Sequence, residues 1–174
     1  PTSRTAEDLL FHKSGMAFPA EWVEAVCGIR HPQVERLPLR LPFASGQAWE
    51  VGQAYDARGG THNGYAAFCW DFILAGQPIA RTRGQPVAAA APGRLVFVED
   101  DAPDGEPGPN YLLLQTAGEE FLTYMHLEHG SIADALGGRG QVTLLPEVRA
   151  GQPLGRTGDT GAGKGNYHLH FAVS

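Results

Sequence analysis

Apolar and polar positions follow two different rhythms along this chain. Over residues 1–36 they recur at helical spacing. Thr5-Ala6-Glu7-Asp8 is spaced as a capping box, a short acceptor followed three residues later by an acid, and Leu9, Leu10 and Phe11 begin an apolar stretch after it. A second helix fits 19–26, with Pro19 at its first position, Trp22, Val23 and Val26 on one face, and Gly28 as a stop. This piece is expected to be a helical extension acting as a lid or brace. After Pro42 the rhythm shortens. Strand-like runs fall at 65–74, 86–90, 94–98, 111–115, 121–127, 153–155 and 167–173, separated by turn-forming clusters such as Arg58-Gly59-Gly60 and Gly137-Gly138-Arg139-Gly140. Ala88-Ala89-Ala90-Ala91 sits between Pro86 and Pro92-Gly93, so it reads as a tight buried strand rather than a helix. Short strands without long helices between them predict a mainly β fold, an antiparallel sheet or barrel, over 37–174.

Composition supports that picture and narrows the function. At 174 residues, 43% of them hydrophobic, the chain suits one domain with a sizeable core. Its 23 glycines and 13 prolines are spread along the length, as many turns require. The net charge is -6 and no basic run exceeds two residues, which disfavours nucleic acid as a partner. It also leaves an anionic surface to be recognised by shape and hydrogen bonds rather than by bulk attraction. No apolar run reaches the length of a membrane span. Two cysteines, Cys27 and Cys69, are compatible with one disulfide in an oxidising compartment or with two buried thiols.

The seven histidines carry the chemistry. His12, His31 and His129 stand alone and read as surface or satisfied core residues. His168-Leu169-His170 is different, because residues i and i+2 of a strand share a face and the two imidazoles then project side by side. The opposite face, Leu169, Phe171 and Val173, is apolar. By the same alternation His126 shares a face with Tyr124 and Leu122, which makes Tyr124 a candidate groove residue, and Asp71 shares one with Cys69. Trp70, Phe72 and Phe68 read as core. His62 lies in the glycine-rich turn 59–64, where the backbone can bend a side chain back over a sheet.

Taken in order, these motifs resemble the lysostaphin-type (LasA-like) zinc metallopeptidases, the M23 family, over roughly residues 39–174. Leu41-Pro42-Phe43 with Gly46 and Trp49 looks like the strand that opens that fold. His62-Asn63-Gly64 with Ala67 and Asp71-Phe72 looks like its first metal motif. Gly84-Gln85-Pro86-Val87-Ala88-Ala89 and Gly93-Arg94-Leu95-Val96 are similar to the next two strands, and Tyr124-Met125-His126-Leu127 to its Tyr-x-His-Leu strand. Val148 to Gly155, Gly158-Asp159-Thr160-Gly161 and His168-Leu169-His170-Phe171 follow its C-terminal signature. The resemblance implies an antiparallel β-sheet core with zinc held by His62, Asp71 and His170, and with His126 and His168 as catalytic histidines. It further implies peptidoglycan peptides as substrate, a monomer, and a place in the cell envelope or outside the cell. Two departures stand out. His62 and Asp71 are nine positions apart, where a shorter gap is common, and Gly165-Asn166-Tyr167 replaces the usual Thr-Gly-Pro before the histidine pair.

The implied set suits hydrolysis. A catalytic zinc takes three protein ligands and keeps one open position, and two neutral imidazoles with one carboxylate meet that count. His126 or His168 is then placed to accept a proton, and the other to stabilise an oxyanion. No His-Glu-x-x-His helix is present. Two rivals use similar architecture. A non-catalytic wall-binding or amidase-regulating module would tolerate gaps in the set, and a phosphocarrier domain would need paired histidines but neither His62 nor Asp71.

Overall fold

The computed structural model describes residues 38–54, 60–63, 66–118, 120–136 and 146–174. The helical extension expected over 1–36 and Cys27 lie outside the described residues. Among the described residues there are nine strands: β1 Trp49–Gln53, β2 Cys69–Leu74, β3 Pro86–Ala88, β4 Gly93–Glu99, β5 Tyr111–Gln115, β6 Phe121–Met125, β7 Glu147–Val148, β8 Pro153–Arg156 and β9 Leu169–Val173. Seven of them form one sheet in the order β1-β2-β9-β6-β5-β4-β7, and β3 pairs with β8 in a second, two-stranded sheet. Every pairing is antiparallel. The mainly β expectation therefore holds, as an open sheet.

Alternation decides which side of the large sheet is core. Leu112 and Leu114 of β5, Leu122 and Tyr124 of β6, and Leu169 and Phe171 of β9 are buried, while their immediate neighbours are less so. Register stacks them across strands, Leu114 beside Leu122 and Tyr124 beside both Leu112 and Phe171. Val87 of β3, Leu154 of β8, Leu127 and Ile132 are also fully buried. Each such side chain contributes about 1.5–3 kcal/mol relative to exposure. The other side carries a second register row, in which Asp71 of β2 pairs with His170 of β9 and His170 with Met125 of β6. One apolar face thus fixes where the polar row must lie.

Three expectations need correction, and one short element was not expected. The alanine run is a strand only as far as Ala88. Ala89, Ala90 and Ala91 are fully buried in a turn whose backbone groups bond Gln152, Tyr124 and Arg40. Small side chains suit that close approach, but the partners are scattered rather than on one neighbouring strand. A five-residue helix, α1 (Ser131–Ala135), packs against β8 and is too short to show helical periodicity in sequence. Phe68 is 53% exposed rather than core, because it precedes β2 in a turn. Tyr124 belongs to the core and not to a groove. It is fully buried and its Oη accepts a 2.8 Å hydrogen bond from the Ala90 N–H, and burial pushes the phenol above its usual pKa.

Candidate metal centre and histidine pair

Tyr124 and His126 part company because β6 ends at Met125. His126 has φ of 65°, a left-handed value and the only positive φ at a non-glycine among the described residues. Side chains other than glycine seldom adopt it. The turn breaks the alternation, so His126 lines the same cleft as Met125 instead of following Tyr124 into the core. His168 likewise lies just before β9, held by a single bridge to Gly158.

The five residues singled out from sequence converge on one cleft of about 730 Å³, which also includes Gln53, Ile73 and Asn166 on its walls. A more open depression of about 850 Å³, near Gly93, Gln115 and Val148, holds none of the five. Asp71 Oδ1 is 3.1 Å from His62 Nε2 and 2.9 Å from His170 Nδ1, and those two nitrogens are 3.3 Å apart. His62 is 1% exposed and its Nδ1 lies 3.0 Å from the Ala54 carbonyl oxygen. That oxygen only accepts, so Nδ1 carries a proton, and unless Nε2 is protonated as well its lone pair faces Asp71. Two lone pairs facing at this distance repel unless a positive charge sits between them, whether a second proton or a metal ion.

The donor set fits a divalent metal ion. Ligands about 2.0–2.1 Å from a tetrahedral zinc stand about 3.3 Å from one another. The three observed separations, 2.9, 3.1 and 3.3 Å, lie at or just below that spacing. His62, Asp71 and His170 are moreover the only group of three or more His, Cys, Asp or Glu among the described residues so placed. Cys69 sits on the face of Asp71 by register but is a buried free cysteine, its thiol pushed up by burial and by the Asp71 charge.

The other two imidazoles are arranged differently. The His126 and His168 rings lie 4.6 Å apart, and His126 is 5.6 Å from His170, ring to ring. His168 Nε2 is 3.6 Å from Asp71 Oδ1. Burial, with the neighbouring His168 second, pushes His126 down to about 4, and burial also lowers His168, so both rings are neutral near pH 7. Burial raises the Asp71 carboxyl, but the His170 hydrogen bond, followed by electrostatic attraction to His168, His62 and His170, outweighs it and holds the group below the usual carboxylate range. Asp71 thus shares the cleft, as a carboxylate, with the neutral rings of His126 and His168. His129 lies apart from this cluster, its backbone N–H bonded to Asp104.

Residues 73–174 match the model of peptidase family M23, and the chain belongs to that family. His62 and Asp71 precede the matched span, so the fold is what brings them to the histidines within it. No curated protein sequence matches the chain. Among solved structures, a catalytic-domain variant of the prophage-encoded M23 protein EnpA from Enterococcus faecalis is 18% identical, over 78% of this chain and 85% of that one, with a TM-score of 0.50. A zinc containing peptidase from Vibrio cholerae is 23% identical with a TM-score of 0.51; the match covers 80% of this chain but only 37% of that one. A chain of the SpoIIIAH and SpoIIQ complex is 17% identical over 78% of this chain and 91% of its own, with a TM-score of 0.52. At these identities the likeness is one of fold.

Sequence reasoning missed Ile73, Met125 and Gln53 as cleft residues. Ile73 was within reach, two positions after Asp71 on the same face of β2. Met125 and Gln53 depend on cross-strand register, which a single sequence does not display.

Proposed function

We propose that the chain is a zinc endopeptidase that hydrolyses peptide bonds of bacterial peptidoglycan, working in the cell envelope or outside the cell. The carrying observation is the convergence of His62 Nε2, Asp71 Oδ1 and His170 Nδ1 within 2.9–3.3 Å of one another, beside two further imidazoles. His62, Asp71 and His170 hold the metal. Bound there, zinc supplies Lewis-acid polarisation and lowers the pKa of water to about 7. His126 and His168 are the catalytic histidines. As neutral rings with Nε2 unprotonated, they accept a proton from the attacking water and return it to the leaving amine. Once protonated, either ring donates to the oxyanion that forms at the scissile carbonyl. The half-enclosed cleft, walled by Ile73 and Met125, limits bulk water around these exchanges.

A second reading is a non-catalytic module on the same fold, and the neighbour in the SpoIIIAH and SpoIIQ complex gives it an architectural precedent. The filled set of five side chains favours the enzyme. Elemental mass spectrometry of the purified chain is expected to find about one zinc per chain, and mass spectrometry of digests of purified peptidoglycans to find released peptides. A chain that binds zinc yet cuts none of a panel differing in cross-bridge and stem chemistry would favour the module. A chain with no zinc would sink the ligand assignment.

A further inference from the structure

The two histidines outside the converging donors are held from a single loop. His126 Nδ1 lies 2.6 Å from the carbonyl oxygen of Thr160, and His168 Nδ1 lies 2.9 Å from that of Asn166. Both carbonyls belong to the segment 158–166, between β8 and β9. A carbonyl only accepts, so each contact places the ring's proton on Nδ1 and leaves Nε2 as an acceptor. Free histidine prefers the opposite tautomer, which makes the placement a property of the fold.

The loop is itself fastened by buried polar groups. Asp159 is 2% exposed. Its Oδ1 accepts from the Gly105 N–H at 2.9 Å and its Oδ2 from the Gly165 N–H at 2.7 Å. Thr160 is fully buried; its hydroxyl donates to the Leu127 carbonyl and accepts from the Asn110 N–H, both at 2.9 Å. Asn110, equally buried, clasps Ala102 through both amide atoms at 2.8 Å. At Gly161 φ is 70°, the N–H donates to Glu106, and an added Cβ would meet Pro109 at 2.8 Å. The loop is thus pressed against segment 102–110 with no slack.

We propose that Asp159 and Thr160 are positioning residues that hold the loop so that its backbone sets His126 and His168 in the Nδ1–H tautomer, which leaves both Nε2 atoms as acceptors. The functional meaning rests on the reading of these two rings as the catalytic pair. An Nε2–H ring could not take a proton from water, so a loop that lets the ring change tautomer removes competent enzyme without touching the metal ligands. Thr160 acts on His126 alone. Asp159, which ties both ends of the loop, acts on both rings.

Long-range proton–nitrogen correlation spectra of the chain labelled with nitrogen-15 histidine read the tautomers, with assignments from His126→Gln and His168→Gln. The wild type is expected to show Nδ1–H at both rings. Asp159→Asn is expected to move both toward a tautomer mixture and to lower kcat about 10-fold or more with KM and zinc content unchanged. Thr160→Val is expected to move His126 only, and Thr160→Ser to restore it. Nε2–H rings in the wild type would overturn the proposal, as would unmoved tautomers in folded Asp159→Asn or Thr160→Val. If Asp159→Asn does not fold, Thr160→Val decides alone. The spectra need no turnover, so a chain that proves inactive would overturn the peptidase reading and leave the tautomer result standing.

Discussion

His62 and His170 on one side, and His126 and His168 on the other, are four imidazoles in one cleft that differ in how closely they approach Asp71. The first two turn nitrogen atoms toward a shared carboxylate, with donor atoms packed at 2.9–3.3 Å. The second two bond backbone carbonyls through Nδ1, as His62 also does, but they meet each other only ring to ring, at 4.6 Å, and His168 Nε2 stands 3.6 Å from the carboxylate. Neighbours that crowd lone pairs invite a cation. Neighbours that fix a tautomer leave the far nitrogen free to exchange a proton. The residue type is the same throughout, and the partner of the second ring nitrogen separates the roles.

That contrast breaks most sharply at Asp71. Asp71→Ala is expected to abolish zinc retention and with it all detectable hydrolysis, because two imidazoles alone leave the ligand count short. Added zinc stabilises whichever state binds it, by about 4 kcal/mol at a thousandfold excess over Kd. Thermal unfolding should therefore shift upward with zinc for the wild type and stay put for Asp71→Ala. An equal shift in both would mean that the ion sits elsewhere.

The next largest effect belongs to the other pair. His126→Ala and His168→Ala are each expected to keep about one zinc per chain while kcat falls about 10²–10⁴-fold, the usual range for a lost acid–base group. Zinc content and kcat measured on the same preparations test it. If His168→Ala loses its zinc, the two members of His168-Leu169-His170 have exchanged roles; if both variants turn over normally, neither ring moves a proton.

Much of this was legible before the structure. Tyr111–Gln115 matches its expected run, and β6, β8 and β9 differ from theirs only at the ends, because alternation and turn residues report local preference directly. The five candidate site residues were legible only through the order of their motifs, since spacing put His168 and His170 together but left His62 and Asp71 unattached to them. What failed was alternation carried past a strand's end. His126 departs from it through one left-handed φ, and no residue type around it announces that turn. Register was out of reach for the same reason, as the pairing of Asp71 with His170 spans 99 positions.

Tyr124 offers the mildest and most discriminating test, because strand alternation put it beside His126 in the groove and the fold buries it on the opposite face. Tyr124→Phe keeps the ring that packs at 5.2 Å against Phe171 and removes only the oxygen that accepts from the Ala90 N–H. Ala90 is fully buried, so that N–H loses its partner in a place water does not reach. Leaving a buried donor unpaired costs about 1–3 kcal/mol, which a lowered urea midpoint with an unchanged slope would record. Nothing in the cleft depends on the phenol, so kcat/KM and zinc content should match the wild type. A fall in kcat/KM at unchanged stability would return Tyr124 to the groove, and would mean that the break in alternation at His126 does not separate core from site as the geometry has it.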